Sequence, residues 1–172
     1  MELLVVIAII IGLAAMILGT VGYVQKKGAR SRAESEIAGM SAALESYKAD
    51  NGAYPTDGTT ENVDPSAWPV PTAASLFLYK SLSGDDQANL QPPATAKSYF
   101  TFKSQMLFGA KDTNGNLTSV TYIRDPFGNA YGYSTMKAKG GTGGFNPTFD
   151  LWSTAGTTSA SAGDQAQWIK NW

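Results

Sequence analysis

Apolar positions fall into two unlike patterns within the first fifty residues. From Leu3 to Gln25 no side chain is charged, and Leu, Ile, Val, Ala and Met fill most positions. From Gly28 onward the apolar positions thin to a stripe of Ala33, Ile37, Met40, Leu44 and Tyr47, at steps of four, three, four and three. That spacing keeps one face of a helix apolar. Arg32, Glu34, Ser35, Glu36, Glu45 and Lys48 fall largely on the other side. Together the patterns predict one helix from near Leu3 to about Asp50. Asn51-Gly52 is its stop, because both residues tolerate left-handed dihedrals. At ~1.5 Å per residue the uncharged run reaches ~33 Å, close to the ~30 Å of a bilayer core.

Beyond the helix the pattern is short and broken. Asp57-Gly58, Asp64-Pro65, Pro69 and Pro71 make residues 57–71 a loop, with Trp68 pinning it to the core. Thr72 is expected to cap a short helix over Ala73 to Leu82, with Leu76, Phe77 and Leu82 inward and Ser83-Gly84 as its end. Asp85-Asp86, in such a turn, reads as a solvated pair. Pro92-Pro93 marks a second loop. Aromatic content predicts strands over 98–103 and 105–108. Alternation from Leu117 to Arg124 predicts another strand, joined in a hairpin around Asn114-Gly115. Asp125-Pro126-Phe127-Gly128 is a turn leading into a strand over Asn129 to Thr135, with Asp125 accepting from turn amides. Residues 139–147 form a Gly-rich loop, Phe149 to Ser153 the last strand, and Trp168 to Trp172 re-anchors a small, polar tail. The fold class is therefore α+β: a long N-terminal helix, half hydrophobic and half amphipathic, packed on a small antiparallel sheet with a loop-rich C-terminal region. Residues 1–25 form an anchoring unit and residues 26–172 a globular head.

Composition removes several function classes. The 172 residues carry a net charge of −1, so electrostatics offers no case for nucleic acid. There is no Cys, hence no disulfide and no thiolate metal site. There is no His, the commonest general base. No nucleophile motif or spaced acid pair appears, so no catalytic residue is assigned. A membrane-anchored extracytoplasmic enzyme or carbohydrate-binding module, using the acids or Trp68, Trp152, Trp168 and Trp172, is the rival reading.

The polar ends of the apolar run carry the sharper information. Glu2 stands at its head, and Lys26, Lys27, Arg30 and Arg32 follow its foot. A secretory signal has the opposite order, with bases before the core. A plain anchor gives no reason for Glu2. An ionised carboxylate in or near hydrocarbon needs a partner, and its own chain offers only the α-amino group. Glu2 therefore points to a neighbouring molecule. Gly12, Gly19 and Gly22 suit close helix packing through small residues.

Met1-Glu2-Leu3-Leu4-Val5-Val6-Ile7-Ala8-Ile9-Ile10 resembles the start of the type IV pilin-like proteins, which include type IV pilins and type II secretion pseudopilins. The resemblance extends to Tyr47-Lys48-Ala49-Asp50-Asn51-Gly52-Ala53-Tyr54-Pro55-Thr56, to Asp125-Pro126-Phe127-Gly128-Asn129 and to Phe149-Asp150-Leu151-Trp152-Ser153, all similar to words of the major pseudopilin. The family's Phe-Thr-Leu would stand just before Met1, which is the expected place of the mature, methylated end. The resemblance implies a pilin fold and a subunit that polymerises into a helical filament, a pilus or a secretion pseudopilus. It implies residence in the bacterial inner membrane before assembly, then a periplasmic or extracellular filament. In it Glu2 meets the terminal ammonium of an adjacent subunit, and the helix around Gly12, Gly19 and Gly22 loosens. The implied partners are prepilin peptidase, minor pilins, an assembly platform with its ATPase, and a secretin. Relatives hold calcium in the loop after the last strand. Here residues 153–164 offer one acid, Asp164, with Thr157 where an aspartate is expected, so a metal-free loop is expected and calcium is the alternative.

Overall fold

The computed structural model describes residues 2–172, without the side chains of Glu2, Leu4, Ala8 and residues 14–21. Helix α1 runs over Glu2–Asn51 as one element. No proline interrupts it. It stops where expected: Gly52 takes φ +79° and its amide donates to the Lys48 carbonyl at 2.8 Å. Asn51 Nδ2 closes the same end, donating to the Tyr47 carbonyl and to Tyr99 Oη.

The amphipathic half of α1 is the spine of the head. Ala33, Ile37, Met40 and Leu44 are buried and Tyr47 is half-buried, so the stripe is the core face. Helix α2, Thr72–Ser83, and strands β1 (Leu107–Phe108), β2 (Tyr122–Ile123), β3 (Gly132–Ser134), β4 (Asp150–Ser153) and β5 (Ile169–Lys170) complete it, with a one-turn helix α3 at Ala162–Gln165. Strands β3, β4 and β5 form one antiparallel sheet with β4 central, and β1 pairs antiparallel with β2. Both faces of β4 are covered. Leu151 packs in the cluster with Met40, Leu44, Leu78 and Tyr133, and Trp152 packs in a second cluster with Val63, Val70 and Trp168. Successive strand residues face opposite ways, so a strand clothed by α1 on one side and the 57–70 loop on the other is buried throughout. Trp68 lies against that second cluster, as expected.

Four expectations need correction. Pro71, not Thr72, is the first cap of α2, and no side chain caps it. Its core face is Ala74, Ser75, Leu78, Tyr79 and Leu82, while Leu76 and Phe77 are only half-buried. Residues 98–103 are not a strand. The amides of Tyr99 and Phe100 donate to the Leu82 carbonyl at the end of α2, at 2.8 and 3.0 Å, and the rings of Phe100, Phe102 and Tyr79 pack on one another. Aromatic content that resembles a strand is used here for a helix-end cluster. The hairpin around Asn114-Gly115 is present, with Gly115 at φ +84° and Asp112 accepting from the amides of Asn114 and Asn116. Its returning arm is shorter than expected, because only Tyr122–Ile123 joins the ladder.

The last correction concerns Asp85-Asp86. Asp86 is exposed, but Asp85 is fully buried. Its carboxylate accepts from Tyr79 Oη at 2.9 Å and from the Leu90 amide at 2.7 Å. Ala88 and Leu90 hold left-handed backbones around it, at φ +53° and +64°. The acid is the hub of a turn, not half of a solvated pair.

Candidate assembly surface and neck

Among the described residues, the large side chains of the first half of α1 have no covering layer within the chain. Leu3, Val5, Val6, Ile7, Ile9, Ile10, Ile11 and Leu13 are each 44–73% exposed. Burying a fully exposed large aliphatic side chain is worth ~1.5–3 kcal/mol; these eight are a little over half exposed, so covering them represents on the order of 7–15 kcal/mol. That is comparable to the whole ~5–15 kcal/mol stability of a domain. Exposed apolar patches of that size mark protein–protein or membrane contact surfaces. Among the described residues no helix is long and apolar enough to cross a membrane. Leu4, Ala8 and residues 14–21 of the apolar run lie outside that statement.

Of the residues expected to act in assembly, Glu2 and Gly19 fall outside the described side chains and packing. At Gly12 and Gly22 nothing lies within 4 Å of where a Cβ would stand. Among the described residues the chain makes no use of their smallness. In the single chain α1 is continuous through this region.

The neck, where the apolar half meets the head, is built by α1 and two loops. Arg30 Nη1 donates to the Gln167 carbonyl at 2.7 Å, and its Nε pairs with Glu34 at 3.2 Å. Two residues on, Arg32 Nε pairs with Glu36 at 2.8 Å, and the other oxygen of Glu36 accepts from buried Tyr131 Oη at 2.7 Å. Thus the polar side of α1 is tied to β-sheet and tail by hydrogen bonds that periodicity does not reveal. Beside them, Tyr23, Lys26, Lys27 and Arg30 face Phe127 and the 155–157 loop across a cleft of about 740 Å³. The basic run is visible in the sequence. Its meeting with Phe127 is not, because about a hundred residues separate them in the chain.

The turn that presents Phe127 is organised by Asp125, as expected. Its Oδ1 accepts from the amides of Phe127 and Asn129 at 3.0 and 2.9 Å, and its Oδ2 accepts from Ser153 Oγ at 2.5 Å. Burial lifts its carboxyl above the usual carboxylate value, while the Ser153 hydroxyl and the turn amides pull the other way. The acid braces the turn to β4.

The loop after β4 does not fit calcium. Three of its oxygens already have partners: the Thr154 carbonyl accepts from Thr157 Oγ1 at 2.8 Å, Thr157 Oγ1 from Trp168 Nε1 at 2.8 Å, and the Ala160 carbonyl from Gln165 Nε2 at 2.9 Å. The single carboxylate, Asp164, accepts from Ser159 Oγ. Among the described residues no group of three acids could hold a metal ion. Calcium needs six to eight free oxygens with several charges, and hydroxyl and amide bonds knit this loop instead.

No family model matches the chain, and a search among characterised proteins returned no match. A functional reading therefore rests on the residues and their arrangement.

Proposed function

We propose that this chain is a structural subunit of a type IV pilin-like filament, a surface pilus or a secretion pseudopilus. The observation that carries the reading is the apolar half of α1, whose described large side chains are exposed, continuous with a spine buried in a compact head. Before assembly the apolar half sits in the inner membrane. On assembly it exchanges lipid for the same segment of neighbouring chains. That exchange is nearly neutral in hydrophobic energy, so packing and specific pairing decide it. Glu2 supplies the pairing by meeting a neighbour's terminal ammonium. An unpaired buried charge costs several kcal/mol, which enforces register. The buried acids of the head support a structural role, since Asp85, Asp125 and Asp150 are all committed to turns.

The test is Glu2→Ala in cells that assemble the protein. The variant is expected to reach the membrane at normal levels while sheared filaments, counted by negative-stain microscopy, fall at least tenfold. Normal filament numbers would overturn the mechanism. Mass spectrometry of the filament subunit is expected to find a methylated amine three residues before Met1.

A further inference from the structure

The neck cleft offers cations without anions. Four of the chain's thirteen bases lie between Lys26 and Arg32, and no acid occurs from Leu3 to Ala33. Among the described residues Arg30 and Arg32 are ion-paired with Glu34 and Glu36, while Lys26 and Lys27 pair with nothing. Arg30 is held in place by the Gln167 carbonyl, so one wall of the cleft is rigid. Tyr23, 71% exposed, stands one turn below, at the end of the uncharged run. At ~1.5 Å per residue, Lys26 and Lys27 lie only ~3–5 Å beyond Val24, within reach of the headgroup layer of a bilayer that the apolar run spans. An exposed tyrosine at that level matches the aromatic belt of membrane proteins. On the translocated side, such a basic cluster also runs against the charge bias that ordinarily orients a membrane helix.

We infer that the cleft formed by Tyr23, Lys26, Lys27 and Arg30 with Phe127 seats the headgroup of an anionic phospholipid. The phosphate meets the two lysine ammonium groups, and the acyl chains run down beside the apolar half of α1. The seat rests on the membrane-resident state proposed above. It adds a preference: the waiting subunit gathers anionic lipid, and entry into a filament requires that lipid to leave.

The test uses the full chain in lipid nanodiscs with spin-labelled phosphatidylglycerol or spin-labelled phosphatidylcholine. Motionally restricted lipid is expected to favour the anionic label about thirtyfold, since each of the two lysines near the surface contributes roughly 1 kcal/mol. The Lys26→Gln/Lys27→Gln variant is expected to fall within about twofold of no preference, and Lys26→Arg/Lys27→Arg to keep it. Circular dichroism checks that helix content is unchanged. Equal restriction of both labels by the parent chain would overturn the seat and leave the membrane reading standing. Restriction of neither label would overturn the membrane reading and the seat together. A preference that survives in the glutamine variant would also overturn it. Inorganic phosphate that displaces the anionic lipid, where chloride of equal ionic strength does not, would make the cleft a site for the free anion instead.

Discussion

Three carboxylates lie inside the head, each holding the amides of a turn. Asp85 takes the Leu90 amide and Tyr79 Oη, Asp125 takes the amides of Phe127 and Asn129, and Asp150 takes those of Phe145 and Asn146. Their roles were not equally visible. Asp125 sits in an Asp-Pro-Phe-Gly-Asn word whose turn chemistry is explicit. Asp85 is followed by an identical neighbour, and only the path of the chain turns one inward and the other out. Burial disfavours the charged form of Asp125. A neutral amide of the same shape can accept from the same two turn amides. Asp125→Asn is therefore expected to cost less than about 1 kcal/mol, whereas Asp125→Ala strands three donors and costs about 3 kcal/mol or more. Guanidinium midpoints of the full chain in detergent check the contrast, and equal costs would refute it.

Helix α1 shows how far periodicity reaches at the level of an element. The stripe, the stop and the length were readable, because helical spacing and a left-handed glycine are local properties. Periodicity says of the polar side only that it lies away from the stripe. In the fold Glu36 turns toward Tyr131, whose ring is fully buried, so the helix is pinned to the head from its polar flank as well. Tyr131→Phe removes that charge-assisted bond while Arg32 still holds Glu36. The expected loss is about 1.5–3 kcal/mol, seen as faster amide exchange in the second half of α1. The strand expected over 98–103 and absent from the fold has the opposite origin. Strand propensity is largely a preference for a half-buried surface, and a helix end with stacked rings satisfies it equally.

The molecule as a whole has two parts of opposite character on one helix: an apolar half whose described large side chains are exposed, and a head closed around buried aromatic rings. The head carries a pH signature. Burial lifts the phenols of Tyr79, Tyr131 and Tyr133 above their ordinary value, and the nearby carboxylates of Asp85 and Glu36 push the first two further up. Below about pH 10 these phenols are protonated in both states, and their contribution to stability is complete. As pH rises past 10 the unfolded chain releases protons that the folded head retains. Stability then falls by about 1.4 kcal/mol per pH unit for each tyrosine. Guanidinium midpoints are expected to drop steeply from pH 10 to 11.5, and Tyr133→Phe should reduce the slope by one proton.

Chain pattern alone dictated the apolar half, the amphipathic spine and where they end, since each depends on residues three or four apart. It also marked the acid at the tip and the bases at the foot. Which acids face inward, which aromatic run forms a strand, and which loop closes over the basic neck were settled only by contacts between residues far apart in the chain. Those contacts exist once β4 is clothed on both faces, and no local spacing encodes which loop will cover which side.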